Sequence, residues 1–247
     1  MTNVEARYEM MKFFAEEICV NADDFLHDTN RVYLSNDSEP FFRMMCFGNA
    51  AVLQANKVIY DWCNDFVSKH IGFRCFDGGQ MSEICRELSK HGYSASCGQG
   101  ALADMTLKRK RKNIPYDIRI IMKNEIAKFY SDEIDGKFYP VDEKWRMLPY
   151  SEATEYIAAC YDKNMVIGFA VADKNNDKIY DVGYETLPEY RQKGVATAVT
   201  IELTNLLLES GIIPYAGFAW SNIISKNVLI KSGYIMGWSN MGVNKIN

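Results

Sequence analysis

Histidine is scarce in this chain: His27, His70 and His91 are the only three in 247 residues, and no short His/Cys group has zinc-ligand spacing. That argues against a structural metal, so none is expected. Cys-x-x-Cys is absent as well. The seven cysteines, at 19, 46, 63, 75, 85, 97 and 160, are odd in number and sit mostly among apolar neighbours. They read as small buried hydrophobes in a reduced compartment. No apolar run is long enough to span a bilayer, and Met1-Thr2-Asn3-Val4-Glu5 lacks the charged-then-apolar order of an export signal. The expectation is a soluble, cytoplasmic protein. Positive charge is not in excess either, the formal net charge being −4. Neither nucleic acid nor an anionic membrane is therefore expected as a partner. No stripe is long enough for a coiled coil, which leaves a homodimer open without supporting one.

What is present is enough apolar sequence for a large core. Hydrophobic residues make up 48% and charged residues 24% of the chain, which suits one large core or two modest ones, and two are expected. The division falls at the basic run Lys108-Arg109-Lys110-Arg111-Lys112. Five like charges repel and resist burial, so 108–112 reads as a linker between an N-terminal domain, 1–107, and a second domain, 113–247. In the first domain Val4, Tyr8, Met11, Ala15 and Ile18 mark an amphipathic helix. Residues 41–47 and 50–53 read as a hairpin around Gly48-Asn49. Val58, Ile59, Trp62 and Phe66 mark a second helix, 72–76 reads as extended, and Ile84, Cys85 and Leu88 predict a third helix stopped by Gly92. Gly98-Gln99-Gly100 and Asp77-Gly78-Gly79 lack the spacing of a dinucleotide site and read as turns. This is a mixed α and β domain of open role.

In the second domain 114–121 reads as a strand and 124–129 as a short helix. An irregular aromatic stretch follows, with Tyr130, Phe138, Tyr139, Trp145 and Tyr150. These aromatics suit a core better than a pocket wall. Residues 155–161 and 165–172 predict a hairpin across Asp162-Lys163-Asn164, and Asn175-Asn176-Asp177 turns into a strand ending at Thr186. Asp181 and Glu185, four apart on that strand, share a face because side chains alternate with period two. Then come Pro188, the segment Arg191-Gln192-Lys193-Gly194-Val195-Ala196, and a helical spacing at Val199, Leu203, Leu206 and Leu207 closed by Gly211. A strand, turn and helix of this kind presents unpaired N–H groups and the positive end of the helix dipole. Gly194 permits close backbone approach, Ala196 is small, and Arg191 and Lys193 add charge at the rim. The arrangement suits a pyrophosphate. Asn222 stands where it can cap the next helix.

Leu187-Pro188-Glu189-Tyr190-Arg191 before this segment, with Asn222, Ser225, Val228, Lys231, Gly233 and Tyr234 after it, resembles the GNAT superfamily of acyl-CoA-dependent N-acetyltransferases. The resemblance is firmest from Ile167 to Tyr234. It implies an α/β (α+β) fold: a mixed, mostly antiparallel sheet flanked by helices, splayed open after its fourth strand. It implies acetyl-CoA as cosubstrate, with Arg191, Gln192, Lys193, Gly194, Val195 and Ala196 at the phosphates. Tyr184, Glu185 and Thr186 would lie along the pantetheine, Asn222 would be close to it, and an oxyanion donor near Thr186. Asp181 or Glu185 would act as base toward the amine of a small molecule or peptide. Two departures stand out. Leu229 occupies the position, seven residues after the motif asparagine, where many members carry a tyrosine, and 212–220 contains no acid. An acyl-CoA sensor without turnover is therefore the alternative.

Overall fold

The computed structural model describes residues 1–36, 40–110, 112–135, 138 and 148–246. The chain divides into two compact units, one formed by Met1–Asn3, Ala101–Gly217 and Asn222–Ile235, the other by Val4–Gly100, Phe218–Ser221 and Met236–Asn247. These limits differ from divisions at 107 and 113. The basic run lies inside the first unit, and the last strand belongs to the second from Met236 onward.

The second unit is a mixed α and β structure. Helix α1 covers Asn3–Glu17, and strands β1 (Arg31–Leu34), β2 (Phe42–Cys46) and β3 (Ala51–Ala55) follow. β2 and β3 form the expected antiparallel hairpin, Met45 opposite Val52, and β1 runs parallel to β3. Helices α2 (Tyr60–Ser68) and α3 (Gly78–Lys90) precede β4 (Tyr93–Ala103), and β10 (Tyr234–Lys245) pairs antiparallel with β2, Ser239 opposite Cys46. The burial of Phe42, Met44, Leu53, Phe66, Ile84, Leu88 and Met241 in one cluster explains why β10 belongs here. Three local expectations change. Residues Gly72–Phe76 form a 3-10 turn, held by Arg74 N–H to Ile71 O at 2.8 Å, rather than an extended segment. Asp77-Gly78-Gly79 starts α3, and Gly98-Gln99-Gly100 lies within β4, so neither is a free turn. Gly100 is required by packing, since a Cβ there would stand 1.9 Å from the Trp238 ring.

In the first unit five strands lie in the order β9-β8-β7-β6-β5. They are β5 (Asp117–Met122), β6 (Thr154–Asp162), β7 (Met165–Lys174), β8 (Ile179–Thr186) and β9 (Ile213–Ala219). The pairs β5/β6, β6/β7 and β7/β8 are antiparallel, and β8/β9 is parallel. This is the mixed, mostly antiparallel sheet expected from the sequence. Helix α4 (Lys123–Phe129) and a π turn over Tyr130–Ile134 cover one face, with Phe129, Tyr130, Phe138, Phe169 and Val171 in the core between. Tyr130 and Phe138 are thus core residues, Tyr150 is exposed, and Tyr139 and Trp145 lie outside the described residues. Helix α5 (Val195–Glu209) covers the other face through Val195, Val199, Leu203 and Leu207. Each such fully buried side chain contributes roughly 1.5–3 kcal/mol. Helix α6 (Ile223–Lys231) follows β9.

Candidate active site

The parallel pair β8/β9 opens after only three residues. Ile179, Tyr180 and Asp181 pair with Ile213, Pro214 and Tyr215, yet β8 continues to Thr186 and β9 to Ala219. In an antiparallel ladder successive residues turn their backbone N–H and C=O groups to opposite neighbours. The Leu187 N–H bonds Ile167 O on the β7 side at 3.0 Å, and Lys178 O accepts from Ile213 on the β9 side at 2.7 Å. The even residues Val182, Tyr184 and Thr186 therefore turn their backbone groups toward the opening. Glu185 turns its own toward β7, so of Tyr184, Glu185 and Thr186 only two can offer main chain to a ligand there.

The helix start lies beyond the strand end. Pro188–Tyr190 makes one 3-10 turn, Gln192 and Gly194 take positive φ of 62° and 87°, and α5 begins at Val195. Gly194 suits this left-handed position because it has no Cβ to strain. The first helical bond runs from Ala198 N–H to Gly194 O, 3.0 Å, so the N–H groups before it have no partner within the helix. Arg191 reaches back, its Nε donating to Thr186 O at 3.4 Å, and Lys193 Nζ stands 4.7 Å from the centre of the Tyr190 ring. The Thr186 hydroxyl oxygen is buried without a hydrogen-bond partner, and Thr186 as a whole is 8% exposed. It lies beside Val195, since a Cβ on Gly168 would touch both the Thr186 Oγ1, at 3.0 Å, and a Val195 methyl, at 2.6 Å. An unpaired buried hydroxyl costs about 1–3 kcal/mol.

The two carboxylates share a face but not an environment. Tyr180 and Val182 pack with α5, whereas a Cβ on Gly183 would meet Leu148 and Val171, so the odd residues face the α4 side. Asp181 sits at the last β8/β9 pair, where the opening begins, and faces Asp173 across β7. Burial, then the Asp173 charge, pushes its carboxyl up to about 7, against a smaller lowering by the Val182 N–H. Glu185 lies two pleats further, roughly 13 Å along the strand. The two cannot act on one proton.

Asn222 caps α6, its side-chain oxygen accepting from the Ser225 N–H at 3.0 Å. Leu229 is fully buried. The Tyr184 hydroxyl crosses to the same helix, 2.8 Å from Ser225 O and 2.5 Å from Ser225 Oγ, and burial raises it to about 12. Sequence reading valued Tyr184 for its backbone and missed this side-chain bridge. Tyrosine at an even, α5-facing position of β8 was the available signal. Among the described residues no group of three or more His, Cys, Asp or Glu side chains could hold a metal, and no helix is long and apolar enough to cross a membrane. Among the described residues the seven cysteines form no disulfide, and Cys46, Cys63, Cys75 and Cys160 are buried.

The family model described as acetyltransferase (GNAT) family matches residues 121–234, which span β6 to α6 and hold both the strand opening and the helix start. This segment belongs to the GNAT acetyltransferase family. Solved structures similar to the chain include a GCN5-related N-acetyltransferase-like protein from Streptococcus suis, 13% identical, TM-score 0.49, covering 86% of this chain and 87% of that one. Another is a GNAT-family acetyltransferase from Colwellia psychrerythraea, 10% identical, TM-score 0.47, covering 71% and 75%. A third, assigned to the GNAT family, comes from Novosphingobium aromaticivorans, 14% identical, TM-score 0.46, covering 62% of this chain and 66% of its own. These likenesses concern fold and assign no substrate. No curated protein matches the sequence.

Proposed function

We propose that the GNAT domain transfers an acetyl group from acetyl-CoA to the amine of a small molecule or peptide. The observation that carries this reading is the β8/β9 opening after Asp181 next to a glycine-cornered helix start. Two features fit the coenzyme. Gly194, at a left-handed corner, has the flexible Lys112 side chain as its nearest neighbour, and the buried Thr186 hydroxyl lacks a partner at the strand end. Main-chain groups of Val182, Tyr184 and Thr186 would pair with the pantetheine amides as a neighbouring strand does. The turn Arg191, Gln192, Lys193 and Gly194 with the α5 N–H groups of Val195 and Ala196 would hold phosphate. Asn222, already engaged as a cap, would position α6 beside the arm.

Bound acetyl-CoA supplies an acyl group activated as a thioester. The protein supplies the base. An amine attacks only when neutral, and Asp181, with its carboxyl pushed up to about 7, would accept that proton at neutral pH. Glu185, the other candidate, stands at the far end of the opening and suits a part in acceptor binding or a water relay. The acceptor would enter from the α4 side, the face these two carboxylates share. Cytoplasmic location belongs to the same reading, as a consequence of composition and not of the site, and a homodimer stays open.

A second reading, an acyl-CoA sensor without turnover, rests on Leu229, which is buried where a hydroxyl would be expected. Calorimetry with CoA, followed by thiol release with a panel of amines, separates the two. CoA binding with Gly194→Trp reduced at least about tenfold, a loss of 1.4 kcal/mol or more, is the expected result; equal affinity in that variant removes the site assignment. Thiol release that depends on an added amine eliminates the sensor.

A further inference from the structure

Three residues of the basic run, expected to be a free linker, lie along α5: Lys108, Arg109 and Lys112. Asp104 N–H donates to Gly233 O at 2.9 Å, and its carboxylate accepts from Thr106 N–H at 3.0 Å. Lys108 pairs with Glu209 near the C-terminal end of α5, and the Asn205 side chain donates to Arg109 O at 2.8 Å. The Arg109 side chain lies over Gly233, with Cγ 2.8 Å from where a Cβ would stand. At the other end of the helix, Lys112 Nζ lies 2.6 Å from the position of a Cβ on Gly194.

This end of the helix is electrostatically wrong for a lysine alone. A helix N-terminus carries roughly +0.5 of an elementary charge, and Arg191 and Lys193 stand at the same turn. Lys193 is turned onto the Tyr190 ring and Arg191 onto Thr186 O, so Lys112 is the cation at Gly194 itself. No ion pair of Lys112 occurs among the described residues. The Thr186 hydroxyl, buried and unpartnered at the end of β8, lies near Val195, the first residue of α5. Positive ends gathered around one glycine are stable together around an anion.

We propose that Lys112 is a diphosphate-binding residue of the cradle, delivered along α5 by the basic run. This rests on the acyl-CoA reading and names the group that Lys112 recognises. The experiment is titration calorimetry of the full chain and of Lys112→Ala and Lys112→Arg with CoA, 3′-dephospho-CoA, S-acetylpantetheine and inorganic pyrophosphate. Loss of a charge-assisted contact predicts roughly tenfold weaker binding of CoA and dephospho-CoA to Lys112→Ala, alike for the two. S-acetylpantetheine binding should not change, and Lys112→Arg should restore most of the affinity. A defect confined to CoA would place Lys112 on the 3′-phosphate and overturn the proposal, as would equal or tighter CoA binding by Lys112→Ala. Should CoA fail to bind while pyrophosphate binds in a Lys112-dependent way, the acyl-CoA reading falls and Lys112 as a diphosphate ligand stands. If neither binds, both fall.

Discussion

Asp181 and Glu185 are the same chemistry at the same phase of one strand, and the fold separates them by environment. For Asp181 burial and the Asp173 charge favour the neutral acid, from an ordinary 3.8 to about 7. A folded-state pKa above the unfolded value means that the native protein holds a proton the unfolded chain has released. Stability from this group is full below about pH 4 and is lost as pH rises through about 7, on the order of a few kcal/mol in all. Asp181→Asn should accordingly unfold at a higher temperature than the parent at pH 8 and at nearly the same temperature at pH 4, while losing amine-dependent turnover. Thermal melts at the two pH values test this, and a variant less stable at pH 8 would remove the burial argument. The two carboxylates and their shared face were legible from alternation alone. The raised carboxyl of Asp181 was not, because Asp173 comes from another strand.

At the scale of elements, each helix and strand around the site follows from short-range signals. Gly194 and Asn222 mark the starts of α5 and α6, and the Asn222 cap is made as its position in the chain suggested. Asn222→Ala should cost about 1 kcal/mol of stability, and Asn222→Asp should keep most of it. Urea unfolding of the three proteins measures this; an Asn222→Ala protein as stable as the parent would show that the cap contributes nothing. The segment Gly72–Phe76 was misread because five residues with two aromatics are too few to separate a strand from a 3-10 turn by pattern. The glycines of β4 were misread for a related reason. A glycine signals a turn in sequence, but at Gly100 it answers to the Trp238 ring from a strand far along the chain.

For the molecule as a whole, ligand binding is also a stability term. Coenzyme at a hundredfold excess over its dissociation constant adds about 2.7 kcal/mol, which in a chain of this size raises the melting temperature by roughly 5–10 °C. Differential scanning calorimetry with CoA should show that shift for the parent and little or none for Gly194→Trp; equal shifts would disconnect the helix start from coenzyme binding. The sequence by itself determined the strand, turn and helix that make the cradle, since hydrophobic period, Pro188, Gly194 and Asn222 act within a few residues. It also carried the resemblance to the family, because that motif is local in sequence. Tertiary structure decided the rest. The opening of β8 from β9, the membership of residues 236–247, the place of Lys108, Arg109 and Lys112 along α5 and the poise of Asp181 all depend on which distant segments come to lie together. Burial and charge are properties of that meeting, and no local pattern encodes them.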